Sequence, residues 1–343
     1  MVVAVLSEVP EASAQSSDPG PGKVIAIVPM AGPQGLAVNT TTNRIYVASD
    51  ARGSTTNGLW RINGATLTTT PRVSLPADRF PFGVAVNPAT NRVYLTNLSR
   101  SFPYSTGSVI VLNEATGSLS TIAVPAGVYW VATNPTTNRI YVTNNGLGAS
   151  GKVTVINGAT NTVLGSSISV GSGPWGVAVN PTTNRIYVAN NASNSVSVIA
   201  GATNGVMATV PLPSGGAPRG VAVNPTTNRI YVAMPLSGLI AVINGATNTL
   251  VETIPSSSWP LEAAVNTSNK RVYVATYGGQ EVDVIEGVIN TLLGGVFIGS
   301  NTFGVGVDPT RRRVYVGRTF GADGVAMIAE CPLDSEGNFA CPP

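Results

Sequence analysis

One segment of this chain is written seven times. It reads NPTTNRIYVAN at 180–190, and its tyrosine recurs at Tyr46, Tyr94, Tyr141, Tyr187, Tyr231, Tyr273 and Tyr315, in steps of 48, 47, 46, 44, 42 and 42 residues. Two residues before each tyrosine stands an arginine: Arg44, Arg92, Arg139, Arg185, Arg229, Arg271 and Arg313. Seven before stands Asn39, Asn87, Asn134, Asn180, Asn224, Asn266 or Asp308. Self-similarity at a period of about 40 to 50 residues marks a repeat architecture, in which no unit buries its apolar face alone and neighbours must stack. The copies fill residues 23–330 as one large domain, with a leader and linker at 1–22 and a short tail at 331–343.

Each copy divides into four short strands separated by turn residues, the close spacing of an all-β protein. In the fourth copy they fall at 176–180, 185–189, 195–199 and 205–212. Asn-Pro-Thr-Thr-Asn between the first two has the chemistry of a tight turn, because proline presets φ and asparagine tolerates the left-handed region. Asn-Gly-Ala-Thr between the last two, as at 157–160 and 244–247, predicts a second hairpin centred on Asn-Gly. The second strand places Ile186 and Val188 on one face and Arg185, Tyr187 and Ala189 on the other, because side chains alternate along a strand. A four-stranded meander that must bury both faces packs between two like sheets, as a propeller blade does. The tyrosine then spaces the blades, with its hydroxyl on a neighbouring backbone. The seventh copy lacks a fourth strand, and residues 23–28, KVIAIV, precede the first copy unclaimed. Pairing the two closes a seven-bladed ring and removes an exposed edge.

Composition limits the chemistry. Of 343 residues 43% are hydrophobic and 10% charged, so burial between layers must be extensive, and no apolar run is long enough for a membrane helix. The net charge is +3, and seven of the 19 basic residues are the repeated arginines, which read as structural forks rather than a polyanion footprint. Histidine is absent, which removes the commonest general base and metal ligand. Cys331 and Cys341 lie close together in the tail and predict a disulfide in an oxidising compartment. The apolar run at 2–6 and Ala12-Ser13-Ala14 resemble the end of a signal peptide, so export is expected, to the periplasm, the cell surface or the medium.

The repeated NPTTNRIYVAN, with Tyr141-Val142-Thr143-Asn144 spelling the motif, resembles the YVTN-repeat β-propeller family over 23–330. That family includes archaeal surface-layer propellers and exported bacterial YncE-like proteins. The resemblance implies an extracytoplasmic seven-bladed propeller; it implies little about activity, because the shared motif is framework. Similarity to virginiamycin-lyase-type propellers stops at the fold, and the tryptophan-rich docking motifs of quinone dehydrogenase propellers are missing. Departures gather in the last copies: Lys270-Arg271 and Arg312-Arg313 replace Asn-Arg, and Glu262 replaces a glycine found at Gly83, Gly176 and Gly220.

Positions that the framework leaves free are where function can enter. Five residues before each motif Asn or Asp stand Gln34, Phe82, Tyr129, Trp175, Arg219, Leu261 and Phe303, which a propeller would set around one channel mouth. The longest loops on that face, 49–58 and 97–107, add Asp50, Arg52, Arg100, Phe102 and Tyr104. These predict a binding surface, with Gln34, Phe82, Tyr129, Trp175, Arg219, Phe303, Arg52, Arg100 and Tyr104 as its residues. The expectation is a monomeric, non-enzymatic binding or scaffold module of the cell envelope, with a protein, glycan or other envelope ligand at the mouth. Two alternatives are kept open: binding of glycan or single-stranded nucleic acid by the aromatic and arginine mouth, and a secreted hydrolase or lyase using carboxylates such as Asp50 or Glu262. No cofactor is expected. Asp50, Asp323 and Glu281 are candidates for a structural calcium site.

Overall fold

A computed structural model describes residues 20–51, 57–76, 78–99, 107–145, 151–319, 323–336 and 338–341. The strands form seven antiparallel sheets, each one blade, in sequence order around a ring. Blade 4 shows the plan, with strands Pro174–Asn180, Arg185–Asn190, Ser195–Ala200 and Gly205–Pro211. The first strands of neighbouring blades pack on one another, and that of blade 7 (Asn301–Asp308) meets that of blade 1 (Pro33–Asn39). The N-terminal strand Gly22–Pro29 pairs antiparallel with Gly324–Glu330 as the outer strand of blade 7, so the ring closes as the missing strand predicts. In blade 3 the outer strand is broken into Thr162–Val163 and Ile168–Ser169, with Gly165 at φ 59° between them.

Burial follows the blade logic. The seven framework tyrosines are at most 1% exposed. Each joins a core cluster with the second strand of the next blade: Tyr187 with Ile230 and Val232, Tyr231 with Val272 and Val274, and Tyr315 across the closure with Ile45 and Val47. The hydrophobic driving force therefore acts between sheets, and no blade has a core of its own.

Polar pins run beside these clusters. The motif asparagine accepts from the two threonine N–H groups of its own turn, as Asn180 Oδ1 does from Thr182 and Thr183, while its Nδ2 crosses to the next blade. Asn39 donates to Asn91 at 3.1 Å, and Asn87 to Asn138, Asn134 to Asn184 and Asn180 to Asn228, each at 2.9 Å. The accepting asparagines sit at φ near 50°, a conformation their short amide tolerates.

Two details differ from the sequence reading. The tyrosine hydroxyl reaches a neighbouring backbone in blade 5, where Tyr231 donates to Gly287 O at 3.0 Å; in blade 6 Tyr273 donates to the Glu330 carboxylate instead. In blades 2 to 4 the arginine reaches across: Arg92, Arg139 and Arg185 donate to Gly158 O, Gly201 O and Gly245 O. Its fork is longer and always charged, so it takes the carbonyl first. The Asn-Gly pair also opens its turn rather than forming its centre. Asn157 Oδ1 accepts from Ala159 N–H, the turn closes with Asn161 N–H to Asn157 O, and Asn161 carries the positive φ of 56°. Gly158 is required for another reason: its N–H donates to Asn138 O at 2.8 Å, and a Cβ there would sit 2.2 Å from Asn138 Oδ1. Where blade 2 has Glu114 in place of that glycine, the carboxylate is buried and receives Arg44 at 2.9 Å, Arg61 at 3.0 Å and Arg72 at 3.1 Å, all from blade 1.

Candidate functional site

The seven variable positions do converge on one end of the central channel. Each is followed by a residue pressed against the next blade. A Cβ on Gly35 would fall 2.5 Å from Phe82 O, one on Gly176 2.2 Å from Arg219 O, and one on Gly304 2.1 Å from Gln34 O. Glycine is the residue that permits this approach, and at two such positions the backbones are hydrogen-bonded, Gly176 N–H to Arg219 O and Gly220 N–H to Leu261 O, both at 3.0 Å. The tips are thus held by backbone geometry whatever side chain they carry.

Phe82 is the hub of the side chains there. Its ring centroid lies 5.5 Å from Phe303, 5.8 Å from Tyr129, 5.8 Å from Trp175 and 5.4 Å from Trp130, each in an edge-to-face contact. These partners come from blades 7, 3 and 4, so the cluster spans the channel. Phe82 is itself only 5% exposed and forms the floor beneath the half-buried Tyr129, Trp175, Arg219 and Phe303. Tyr129 and Trp175 lean together at 4.4 Å, and the Arg219 guanidinium lies 3.9 Å over the Trp175 ring. Arg219 therefore presents a cation on an aromatic stack, an arrangement whose attraction strengthens as water is withdrawn. Burial lowers the pKa of Arg219. Gln34 is half-buried on the same ring, and Leu261 is buried.

Two residues enter through the column otherwise occupied by glycine. Trp130, 8% exposed, packs edge-on to Phe82; the sequence reading passed over it, although its departure from glycine in a column of glycines was a usable signal. Glu262 is buried in the same column of blade 6, and burial pushes its carboxyl up to about 8, a rise partly opposed by the Ala263 backbone hydrogen bond and the Arg219 charge. At neutral pH it is mostly protonated.

The remaining predicted residues separate. Arg52, Arg100, Phe102 and Tyr104 lie outside the described residues. Asp323 accepts from Gly32 N–H at 3.0 Å and Asp50 N–H donates to Gly32 O at 2.7 Å, so both serve the seam between blades 7 and 1, whereas Glu281 stands on blade 6. Among the described residues no three Cys, Asp or Glu side chains gather as a metal site would need. The tail is closed by a Cys331–Cys341 disulfide. Among the described residues no helix is long and apolar enough to cross a membrane.

The fold and its mouth define the class: a seven-bladed β-propeller with a capped channel. A family model described as "Lactonase, 7-bladed beta-propeller" matches residues 105–210. No curated protein matches the chain. Among solved structures, hydrazine synthase of Kuenenia stuttgartiensis is similar with a TM-score of 0.74 at 16% identity, over 96% of this chain and 100% of that one. A chain of the mitotic checkpoint complex is similar with a TM-score of 0.75 at 13% identity, over 96% of this chain and 98% of that one. At such identities the likeness is one of fold, and function has to be argued from the site.

Proposed function

We propose that the protein is a non-enzymatic, extracytoplasmic binding or scaffold module whose partner docks on the channel mouth. The observation that supports this most is the stack of Arg219 on Trp175 and Tyr129, placed at positions the repeat does not constrain and floored by a packed aromatic cluster. Rigid aromatics beside one arginine are the usual make-up of an energetic centre in an interface. The tail disulfide supports an oxidising compartment. The flat π faces and the cation suit glycans or single-stranded nucleic acid as well as protein, and the test separates these.

The experiment is a pull-down from envelope extract, a glycan array and oligonucleotide binding across a salt series, with wild type beside a Trp175→Ala/Arg219→Ala variant of verified thermal stability. Loss of one interaction in the variant is the expected result. A variant that keeps every interaction of the wild type refutes the mouth as the docking site. Oligonucleotide affinity indifferent to salt removes nucleic acid from the reading.

One observation favours a second reading, hydrolysis of a secreted substrate: the lactonase-type family model matches part of the chain. Glu262, mostly protonated at neutral pH, is the carboxyl at the mouth suited to a general acid, although it lies outside the matched residues 105–210. Turnover of a panel of lactones that disappears in Glu262→Gln would establish this reading, and absence of turnover across pH 6 to 9 would end it.

A further inference from the structure

The face opposite the mouth, where the motif turns lie, carries a crevice of about 400 Å³ lined by Arg311, Arg312, Arg313, Glu330, Pro332, Ala340 and Cys341. Three consecutive arginines reach it because blade 7 departs from the repeat. Blade 4 reads Pro-Thr-Thr-Asn-Arg at 181–185 where blade 7 reads Pro-Thr-Arg-Arg-Arg at 309–313. Both changes are to arginine, and both occur in the blade whose turn faces the tail.

The second change works against the local backbone. Arg312 occupies the turn position at φ 54°, which Asn43, Asn91, Asn138, Asn184 and Asn228 fill in the first five blades. Arginine lacks the short amide that lets asparagine tolerate that conformation, so the backbone by itself does not favour it. Its side chain is 53% exposed, with Nε 3.8 Å from Glu330 Oε2. Arg311 is aimed by two acceptors, Asp308 Oδ2 at 2.9 Å and Thr40 O at 3.0 Å, and the Asp308 charge balances its own. The Arg313 guanidinium has no hydrogen-bond partner among the described residues, in contrast with Arg92, Arg139 and Arg185, whose forks are taken by the next blade.

The opposite wall is preformed. The tail folds back on itself with Ala340 N–H to Pro332 O and Asp334 N–H to Asn338 O, both at 2.8 Å, and the disulfide ties its ends. Arg271 pins it to blade 6 through Cys331 O at 2.8 Å and by lying 5.6 Å over the Phe339 ring. Glu330 is the one carboxylate among the described residues of the lining. Its oxygens already accept from Asn266 at 2.6 Å, Tyr273 at 2.6 Å and Asn269 at 3.1 Å, so its lone pairs are turned into the framework rather than toward the crevice.

We propose that this crevice binds a small, multiply charged oxyanion, with Arg312 and Arg313 supplying forked donors and the disulfide-tied tail forming the far wall. Guanidinium donors match the paired oxygens of phosphate and carboxylate alike, and the volume lies in the range of sites for small molecules. The site is independent of the mouth.

The test uses the full chain with its disulfide intact. Inorganic phosphate and citrate are titrated calorimetrically, with sodium chloride at matched ionic strength as the control, in wild type, Arg312→Asn and Cys331→Ser/Cys341→Ser. Arg312→Asn restores the framework residue and should fold at least as well as wild type, so a loss of binding there is not a loss of structure. Saturable binding of phosphate or citrate, weakened at least about tenfold in Arg312→Asn and also weakened in the double serine variant, is the expected result. Whichever probe binds more tightly identifies a phosphate or a carboxylate as the natural group. Absence of saturable binding by both probes, or equal affinity in wild type and Arg312→Asn, overturns the proposal.

Discussion

Replacing Lys270 by Asn should stabilise the ring, and the gain should depend on a residue one blade away. Asn224 of blade 5 stands where Asn39, Asn87, Asn134 and Asn180 each donate Nδ2 to an asparagine in the turn of the next blade. Its own target position in blade 6 holds Lys270, which offers no acceptor, and Asn224 Nδ2 is buried with no hydrogen-bond partner among the described residues. Lys270 also adopts φ 65°, a region where asparagine is far better tolerated. Satisfying a buried donor is worth about 1 to 2 kcal/mol, and the backbone preference adds roughly 0.5 to 1 kcal/mol. Lys270→Asn should therefore raise stability by about 2 kcal/mol, which in a domain this large is a rise of roughly 3 to 5 °C in unfolding midpoint. The control is Asn224→Ala, which removes the donor together with the acceptor for Thr226 and Thr227 N–H in both backgrounds, so that only the cross-blade bond differs. In that background Lys270→Asn should retain only the backbone part of its gain. Equal gains in the two backgrounds would show that no bond across the blades forms, and an unchanged or lowered midpoint would refute the reasoning altogether.

Two further perturbations test buried carboxyls. Glu262 has a folded-state pKa raised to about 8 by burial, so the unfolded chain ionises first and stability is lost as pH rises from the ordinary carboxylate range through 8. Glu262→Gln should remove a pH-dependent loss of about 3 to 5 kcal/mol, read as unfolding midpoints across pH 5 to 9; parallel pH profiles for variant and wild type would contradict the assignment. Glu114→Gln leaves Arg44, Arg61 and Arg72 facing one another across the seam of blades 1 and 2 without their shared carboxylate. It should cost roughly 2 to 4 kcal/mol in denaturant unfolding, less the screening those partly exposed arginines receive, and a neutral outcome would mean that water replaces the carboxylate.

Much of this was legible in the residues because comparison of seven copies with one another separates framework from freedom. The tyrosines, the blade count and the closing strand at Gly22–Pro29 could be read off spacing. The mouth positions could be found as the variable column beside a glycine column. What could not be read was how those side chains meet. Phe82 looked equivalent to Tyr129 and Trp175, yet it becomes the buried hub because rings from blades 3, 4 and 7 all pack against it. The Asn-Gly pair suggested a two-residue hairpin, and the left-handed residue turned out to be the one four positions later, because the glycine is held against the preceding hairpin turn of its own blade.

The repeat alone determined that the chain forms seven four-stranded blades and that its two ends share one of them, because strand periodicity and turn chemistry act over neighbouring residues and are copied with the sequence. Contacts between blades join residues some 50 positions apart, as Asn180 to Asn228 does, and they depend on how the ring curves rather than on any local pattern. Tertiary structure therefore decided which asparagine has an acceptor, that the channel is filled at its mouth, that Glu262 is buried beside Arg219, and that Arg311, Arg312 and Arg313 line one crevice beneath the tail.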